Sequence, residues 1–174
     1  MAVHIAKALG LRVIVTGNAR AKERFLAMGV DRYLDYKTEN YWEVLSDVDH
    51  VIDTLGPDEF DHELAVLKKG GRLVSLRTGP NKAFALRHQF GGLKKQMFTL
   101  AGSKFDKAAQ KQGKEYRFVF VRSNGAQLQK ITEIVEKKQV KPAVDARVFS
   151  LDQANEALQL VAKGQLNGKV MIQL

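Results

Sequence analysis

The 174 residues contain no cysteine, which excludes disulfides, thiolate zinc sites and a cysteine nucleophile, and fits a cytoplasmic protein. No apolar run approaches the length that crosses a bilayer, and the first residues show no signal-peptide pattern. Internal repeats, low-complexity tracts and an evident linker are missing as well. The histidines His4, His50, His62 and His88 are scattered, without the i, i+4 or carboxylate spacing of a metal site. No metal ligand is expected among them.

What is present is the composition of an ordinary folded chain, 45% hydrophobic and 27% charged, at a length that suits one domain with a sizeable core. The net charge of +9 is unevenly placed. Between residues 77 and 117 ten Lys/Arg stand against two acids, Asp106 and Glu115, a local balance of +8. A nucleic-acid surface would want such a patch. A basic surface that steers a small anionic ligand wants it equally, and the second is the expectation, with no membrane or nucleic-acid partner.

The chain is organised around residues 12–36, RVIVTGNARAKERFLAMGVDRYLDY. The β-branched run 12–16 predicts a strand buried on both faces of a parallel sheet. Gly17 lets the backbone turn, and Asn18 is suited to cap a helix beginning near Ala19. Ala21, Phe25 and Met28 recur at helical spacing, Gly29 closes the helix, and residues 33–35 open a second strand. This is a β-α-β unit. Where such a unit binds a dinucleotide, an acid at the end of the first strand meets a ribose 2′-hydroxyl, whereas basic residues meet a 2′-phosphate. Here no acid follows Thr16, and Arg20 and Lys22 come at once. The arrangement is of the NADP type.

The pattern continues with a helix over 1–9 stopped by Gly10, a short helix or turn over 38–45, a strand over 48–54 and a helix over 58–67. Gly70-Gly71 reads as a turn into a strand over 72–76. From 77 to 113 the apolar residues suggest one or two helices, basic outside and broken at Gly91-Gly92 and Gly102. A strand over 116–121 (YRFVFV), a helix over 126–137, a short strand over 144–149, a helix over 152–162 and a last strand over 169–174 complete the chain. Asp53, Asp58 and Asp61 invite a reading as paired carboxylates. Asp58 and Asp61 fall in a first helical turn, where acids offset the helix dipole, and that reading is preferred.

The fold class expected is α/β with a doubly wound parallel sheet. In wording and order, AKALGLRVIVTGNARAKERFLAMGVDRYLDYKTENY, VDHVIDTLG, LAVLKKGGRLVSL, VFVRSNGAQLQKI and SLDQANEALQLVAKGQLNGKVMIQL resemble medium-chain dehydrogenases/reductases. The branch most similar is the zinc-independent quinone oxidoreductases, often called zinc-binding dehydrogenases. The resemblance covers essentially the whole chain and is weakest over 77–113. No G-x-G-x-x-G occurs anywhere, so the first strand and glycine-rich turn that hold a diphosphate in this family are not represented. The chain resembles the cofactor-binding half of such an enzyme, with residues 1–147 as the Rossmann-like domain. Residues 148–174 form a helix-strand tail that in the family packs on a separate substrate domain.

The resemblance implies NADP(H) as cofactor, hydride transfer from NADPH to a quinone, enone or carbonyl substrate, and no turnover by this chain alone. It places Asn18, Arg20 and Lys22 at the adenosine 2′-phosphate and Tyr36 by the adenine or that phosphate. Thr54, Leu55 and Gly56 line the cofactor, and Ser75, Leu76 and Arg77 lie near the nicotinamide ribose. Phe120 and Val121 approach the nicotinamide carboxamide through backbone atoms, and Lys169 is a further phosphate candidate. It also implies a homodimer through the strand over 116–121. Two readings from other classes stand beside it. VDHVIDTLG followed by LAVLKKGGRLVSL also resembles S-adenosylmethionine methyltransferases, and the basic segment admits a non-catalytic oligomerising or nucleic-acid-binding module.

Overall fold

Short β-branched and aromatic runs become strands in this chain, and the amphipathic stretches between them become helices. The computed structural model describes residues 2–164, 166 and 168–173. The chain divides into two compact units, whose described residues fall in Met1–Val13, Ala27–Asp31 and Asn124–Leu174 for one and in Ile14–Leu26 and Arg32–Ser123 for the other.

The larger unit carries five strands, β1 Ile14–Gly17, β2 Arg32–Asp35, β3 Val48–Asp53, β4 Leu67–Ser75 and β5 Glu115–Phe118. All pairings are parallel, in the orders β1-β2 and β3-β4-β5. Among the described residues no ladder joins β1 to β3. That break falls at the one position which the doubly wound order 3-2-1-4-5-6 assigns to a strand preceding this first helix. The break also corrects the expectation for β1, which is not buried on both faces. Ile14 and Val15 are half-buried and Thr16 is exposed, because only β2 lies beside them.

The core of this unit gathers around β4 and β5. Phe60 and Leu64 of α4 (Phe60–Val66), Leu67 and Leu73 of β4, Phe84 of α5 (Lys82–Arg87) and Phe105 and Ala109 of α6 (Gly92–Lys111) meet Tyr116 and Phe118 of β5. Three sequence expectations change here. Gly70 and Gly71 lie inside β4 rather than in a turn before it, and Gly70 N–H pairs with the Gly113 carbonyl at 2.7 Å. Gly102 does not break α6. It lets the helix press on the turn before α5, where a Cβ would stand 2.5 Å from Asn81 Cα. The strand expected over 116–121 ends at Phe118, so Phe120 and Val121 leave the ladder and are 65% and 83% exposed.

Some of the basic charge of 77–117, together with Arg72 before it, is tied to groups of the fold. Arg87 donates to the Phe118 carbonyl, Lys114 donates to the Leu64 carbonyl at 2.6 Å, and Arg72 and Arg117 both bond Glu115. These cations close helix and strand ends.

In the other unit α1 (Ala2–Ala8) contacts α7 (Gly125–Lys137). Lys7 Nζ pairs with Asp31 at 2.8 Å, and the same Asp31 oxygen accepts the Val13 N–H. β6 (Val144–Ser150) and β7 (Lys169–Gln173) form a parallel pair, and α8 (Ala154–Ala162) contacts both. Along β7, Val170 is half-buried and Ile172 is 40% exposed, and Leu174 lies outside the described residues.

Candidate functional site

The carboxyl ends of β1 and β2 lie side by side, with Gly17 opposite Asp35 and the Tyr36 N–H bonded to the Gly17 carbonyl at 3.1 Å. A Cβ on Gly17 would collide with the Tyr33 hydroxyl, so this glycine makes room as well as turning the chain. Asn18 occupies the N-cap position with extended backbone, yet its side chain caps nothing. This differs from the expected cap because a 3₁₀ turn, Ala19–Ala21, starts there and is tied through the Asn18 carbonyl. That carbonyl accepts Ala21 N–H at 3.0 Å and the Tyr33 hydroxyl at 2.7 Å. Asn18 Oδ1 is left buried without a partner among the described residues. Arg20 in the turn and Lys22 at the start of α2 (Lys22–Ala27) are exposed, and neither pairs with another described residue. Tyr36 is 58% exposed at the end of the neighbouring strand. The structure therefore brings Asn18, Arg20, Lys22 and Tyr36 to one end of one strand pair. The two unpaired cations there can receive an anion.

The carboxyl ends of β3 and β4 are built differently. Asp53 is fully buried and accepts four bonds, from Leu55 N–H at 2.6 Å, Gly56 N–H at 2.9 Å, Ser75 Oγ at 2.5 Å and Thr78 Oγ1 at 2.8 Å. Burial would push its pKa up. The Ser75, Gly56, Thr78 and Leu55 donors outweigh burial and hold the carboxyl below its ordinary value. Glu63 of α4 is buried against it and hydrogen-bonds it, while its own Oε2 has no partner among the described residues. Burial first, and then the Asp53 charge, push Glu63 up to about 8. The pair is thus arranged so that Asp53 favours its charged form and Glu63 its protonated form.

Of the remaining expected site residues, Thr54, Leu55, Leu76 and Arg77 are exposed around this carboxyl pair, and Gly56 is buried with φ +115°. Ser75 is fully buried and its hydroxyl is engaged with Asp53, Arg77 N–H and Thr78 N–H, so it can face a ligand only through its backbone. Lys169 opens β7 in the other compact unit and is exposed.

Glu63, Thr78 and Asn81 were not singled out by sequence. Asn81 is fully buried, caps α5 by accepting Phe84 N–H at 3.0 Å and donates to Asp106 and the Tyr116 carbonyl. A signal for Glu63 was available. It stands three residues after Phe60 and four before Leu67, on the apolar stripe of α4, where an acid is out of pattern.

A family model described as zinc-binding dehydrogenase matches residues 28–172. The curated protein "NAD(P)H oxidoreductase RTN4IP1, mitochondrial" of Danio rerio is 30% identical over 181 residues, covering 99% of this chain and 45% of that protein. The "2-methylene-furan-3-one reductase" of Solanum lycopersicum is 29% identical over 162 residues, covering 92% of this chain and 33% of that protein. Among solved structures, the quinone oxidoreductase from Coxiella burnetii superposes with a TM-score of 0.74 at 22% identity, covering 99% of this chain and 48% of that one. The chain thus spans about half the length, or less, of the relatives it matches.

Proposed function

Because the chain belongs to the zinc-binding dehydrogenase family, we propose that it is the NADP(H)-binding portion of a reductase acting on a quinone, enone or carbonyl compound. The observation that carries this reading is the exposed, unpaired pair Arg20 and Lys22 beside Asn18 and Tyr36, at the ends of β1 and β2. The adenosine 2′-phosphate would be held by Arg20 and Lys22, each able to make charge-assisted bonds worth about 1.5–3 kcal/mol. Tyr36 would pack by the adenine. The orphaned Asn18 Oδ1 fits a ribose hydroxyl, because it is an acceptor with no donor of its own. Thr54, Leu55, Gly56, Ser75, Leu76 and Arg77 would border the rest of the cofactor, with Phe120 and Val121 beside the nicotinamide and Lys169 as a further phosphate ligand. When bound, the nicotinamide would supply a hydride, and an acceptor that also takes one proton from water completes a two-electron reduction. The relatives named as NAD(P)H oxidoreductase, furanone reductase and quinone oxidoreductase support this class of chemistry.

Among the described residues no three His, Cys, Asp or Glu side chains are placed to hold a metal, and no step is derived through one. No helix among the described residues is long and apolar enough to cross a membrane. The family assignment leaves the methyltransferase-like and nucleic-acid-binding alternatives without support.

Three finer points belong to the same reading. The boundary between Rossmann-like domain and tail lies at residues 147/148. β5, last in the order β3-β4-β5, pairs with its two-fold mate in a homodimer, since an uncovered β-prone edge invites pairing. The 174-residue polypeptide does not turn over by itself, because no glycine-rich loop in its sequence holds a diphosphate and hydride transfer needs donor and acceptor held in near-attack geometry. Titration with 2′,5′-ADP and 5′-ADP tests the cofactor reading directly, with clear preference for the first expected and equal affinity refuting it. Turnover of NADPH with quinones and enones, by this chain at the rate of one extended through the glycine loop and substrate domain, would refute the last point.

A further inference from the structure

The apolar stripe of α4 carries an acid that cofactor binding does not use. Phe60 and Leu64 are 4% and 0% exposed within the core, and Glu63 between them is 4% exposed. Its carboxyl hydrogen-bonds Asp53, and two carboxyl groups bond each other only when one of them carries a proton. Oε2 of Glu63 is buried and accepts no hydrogen bond among the described residues. Asp53 is held by four donors and stays charged, so the proton belongs to Glu63.

The surroundings of Glu63 offer a negative charge no relief. Asp53 faces it from β3, and Glu59 from the 3₁₀ turn Pro57–Glu59. From α3 (Tyr41–Val44) the Tyr41 hydroxyl donates to Glu59 at 2.9 Å, and burial and that bond hold the phenol above its ordinary value. β4 brings the neutral hydroxyl of Ser75, and burial likewise raises Tyr116 of β5, near Asp53. The bases that reach α4 are engaged elsewhere. Lys114 Nζ donates to the Leu64 carbonyl, while His62 stacks on Trp42 at 3.8 Å and lies 3.5 Å from Glu59. Among the described residues no cation pairs with Asp53 or Glu63. An ionised Glu63 therefore sets two buried like charges together, and one side has to give. Phe60 and Leu64 anchor α4 in the core, whereas Thr54, Leu55, Leu76 and Arg77 are exposed. The loops are the side free to move. Leu55 N–H, Gly56 N–H and the Thr78 hydroxyl hang on Asp53, and Arg77 N–H and Thr78 N–H hang on the Ser75 hydroxyl that donates to it.

We propose that Glu63 is a positioning residue whose proton latches two loops: protonated, it lets Asp53 hold residues 54–56 and 76–78 in place, and ionised, it drives them loose. Burial first, and then the Asp53 charge, raise Glu63 to about 8. The latch is thus closed at neutral pH and opens as pH rises through 8. Its effect on the cofactor rests on the reading above, which borders the cofactor with these loops; that part of the site is then held less firmly in alkaline solution. The latch itself rests on the carboxyl pair and its four donors alone.

The test is a pH titration of the ¹³C,¹⁵N-labelled 174-residue chain followed by carbon-detected spectra, which fast amide exchange does not erase. The Glu63 side-chain carboxyl carbon is expected to titrate with a midpoint near 8. The Cα signals of 54–56 and 76–78 should move toward unstructured values with the same midpoint, while those of Tyr33 and Leu34 in β2 stay fixed. Glu63→Gln keeps the shape of the side chain and, like the protonated acid, can donate to Asp53. Its loop signals should remain at their neutral-pH positions up to pH 9. A Glu63 midpoint in the ordinary carboxyl range, loop signals that stay flat through that midpoint, shifts that spread to β2, or loop shifts that persist in Glu63→Gln would each overturn the proposal. If the variant does not fold, the shared midpoint in the parent decides alone. Titration with 2′,5′-ADP at pH 7 separates the two readings. A shared midpoint without 2′,5′-ADP binding keeps the latch and removes the cofactor assignment, and the reverse removes the latch alone.

Discussion

At the end of β1 two exposed cations and one buried amide oxygen have no partner among the described residues, whereas at the end of β3 a buried carboxylate is held by four donors. Arg20, Lys22 and the amide oxygen of Asn18 have no hydrogen-bond or ion-pair partner among the described residues. Asp53 is enclosed by Leu55, Gly56, Ser75 and Thr78. Both places are carboxyl ends of parallel strands, where ligands of open α/β sheets bind. The difference is between an end whose two cations are unengaged by the fold and a brace that fixes the loops around it.

The largest effect should come from breaking the brace. Asp53→Ala takes away the acceptor of two backbone N–H groups and two hydroxyls, the Gly56 and Ser75 donors among them buried, and is expected to cost about 3–5 kcal/mol of stability. Urea unfolding checks this, and a midpoint unchanged from the parent would show the brace to be decorative. Next comes the open end. Arg20→Ala and Lys22→Ala should each weaken 2′,5′-ADP by about tenfold or more, with no change in the unfolding midpoint, because neither side chain pairs within the fold.

The shared proton gives the third. Glu63 titrates near 8 in the folded chain against an ordinary 4.5, so between these values the folded state binds the extra proton. Stability contributed by Glu63 is therefore complete below pH 4.5 and falls as pH rises toward 8, with a slope approaching 1.4 kcal/mol per pH unit, roughly the linkage limit. Unfolding curves from pH 5 to 8 should show that fall, and Glu63→Gln should flatten it. The smallest effect separates two asparagines at N-cap positions. Asn124 accepts Gln127 N–H at 3.0 Å at the head of α7, so Asn124→Ala is expected to cost about 1 kcal/mol. Asn18 caps nothing, and Asn18→Ala should stay within about 0.5 kcal/mol, measurable as thermal midpoints.

The open end was legible in the sequence because its signal is local. The turn after a β-branched run, the lack of an acid and the presence of two cations can all be read within a few residues, and the structure places those cations exposed at the strand's end. The order of strands and helices was legible for the same reason, since each element carries its own periodicity. The brace was not, because Asp53, Glu63 and Ser75 meet only when α4 and β4 pack, and contacts 10 to 22 residues apart leave no spacing pattern. The misplacement of Gly71 and Gly102 has one physical cause. Glycine was read as a break, and here it provides clearance, for β4 against the Asp49 carbonyl and for α6 against the Asn81 backbone. The strand over 116–121 was overrun because β-propensity continues through Phe120 and Val121 after the ladder to β4 has ended at Ser75 opposite Phe118.

The missing ladder between β1 and β3 has a dynamic consequence. Successive amides of an extended strand point to opposite sides, so in β1 and β3 only every second N–H is locked by the neighbouring strand. Deuterium uptake along these two segments should alternate, slow toward β2 or β4 and fast toward the gap. In β4, flanked by partners on both sides, it should be uniformly slow over residues 72–75. Any strand that comes to lie in the gap would erase the alternation in both segments at once, giving the sheet's continuity a readout at single-amide resolution.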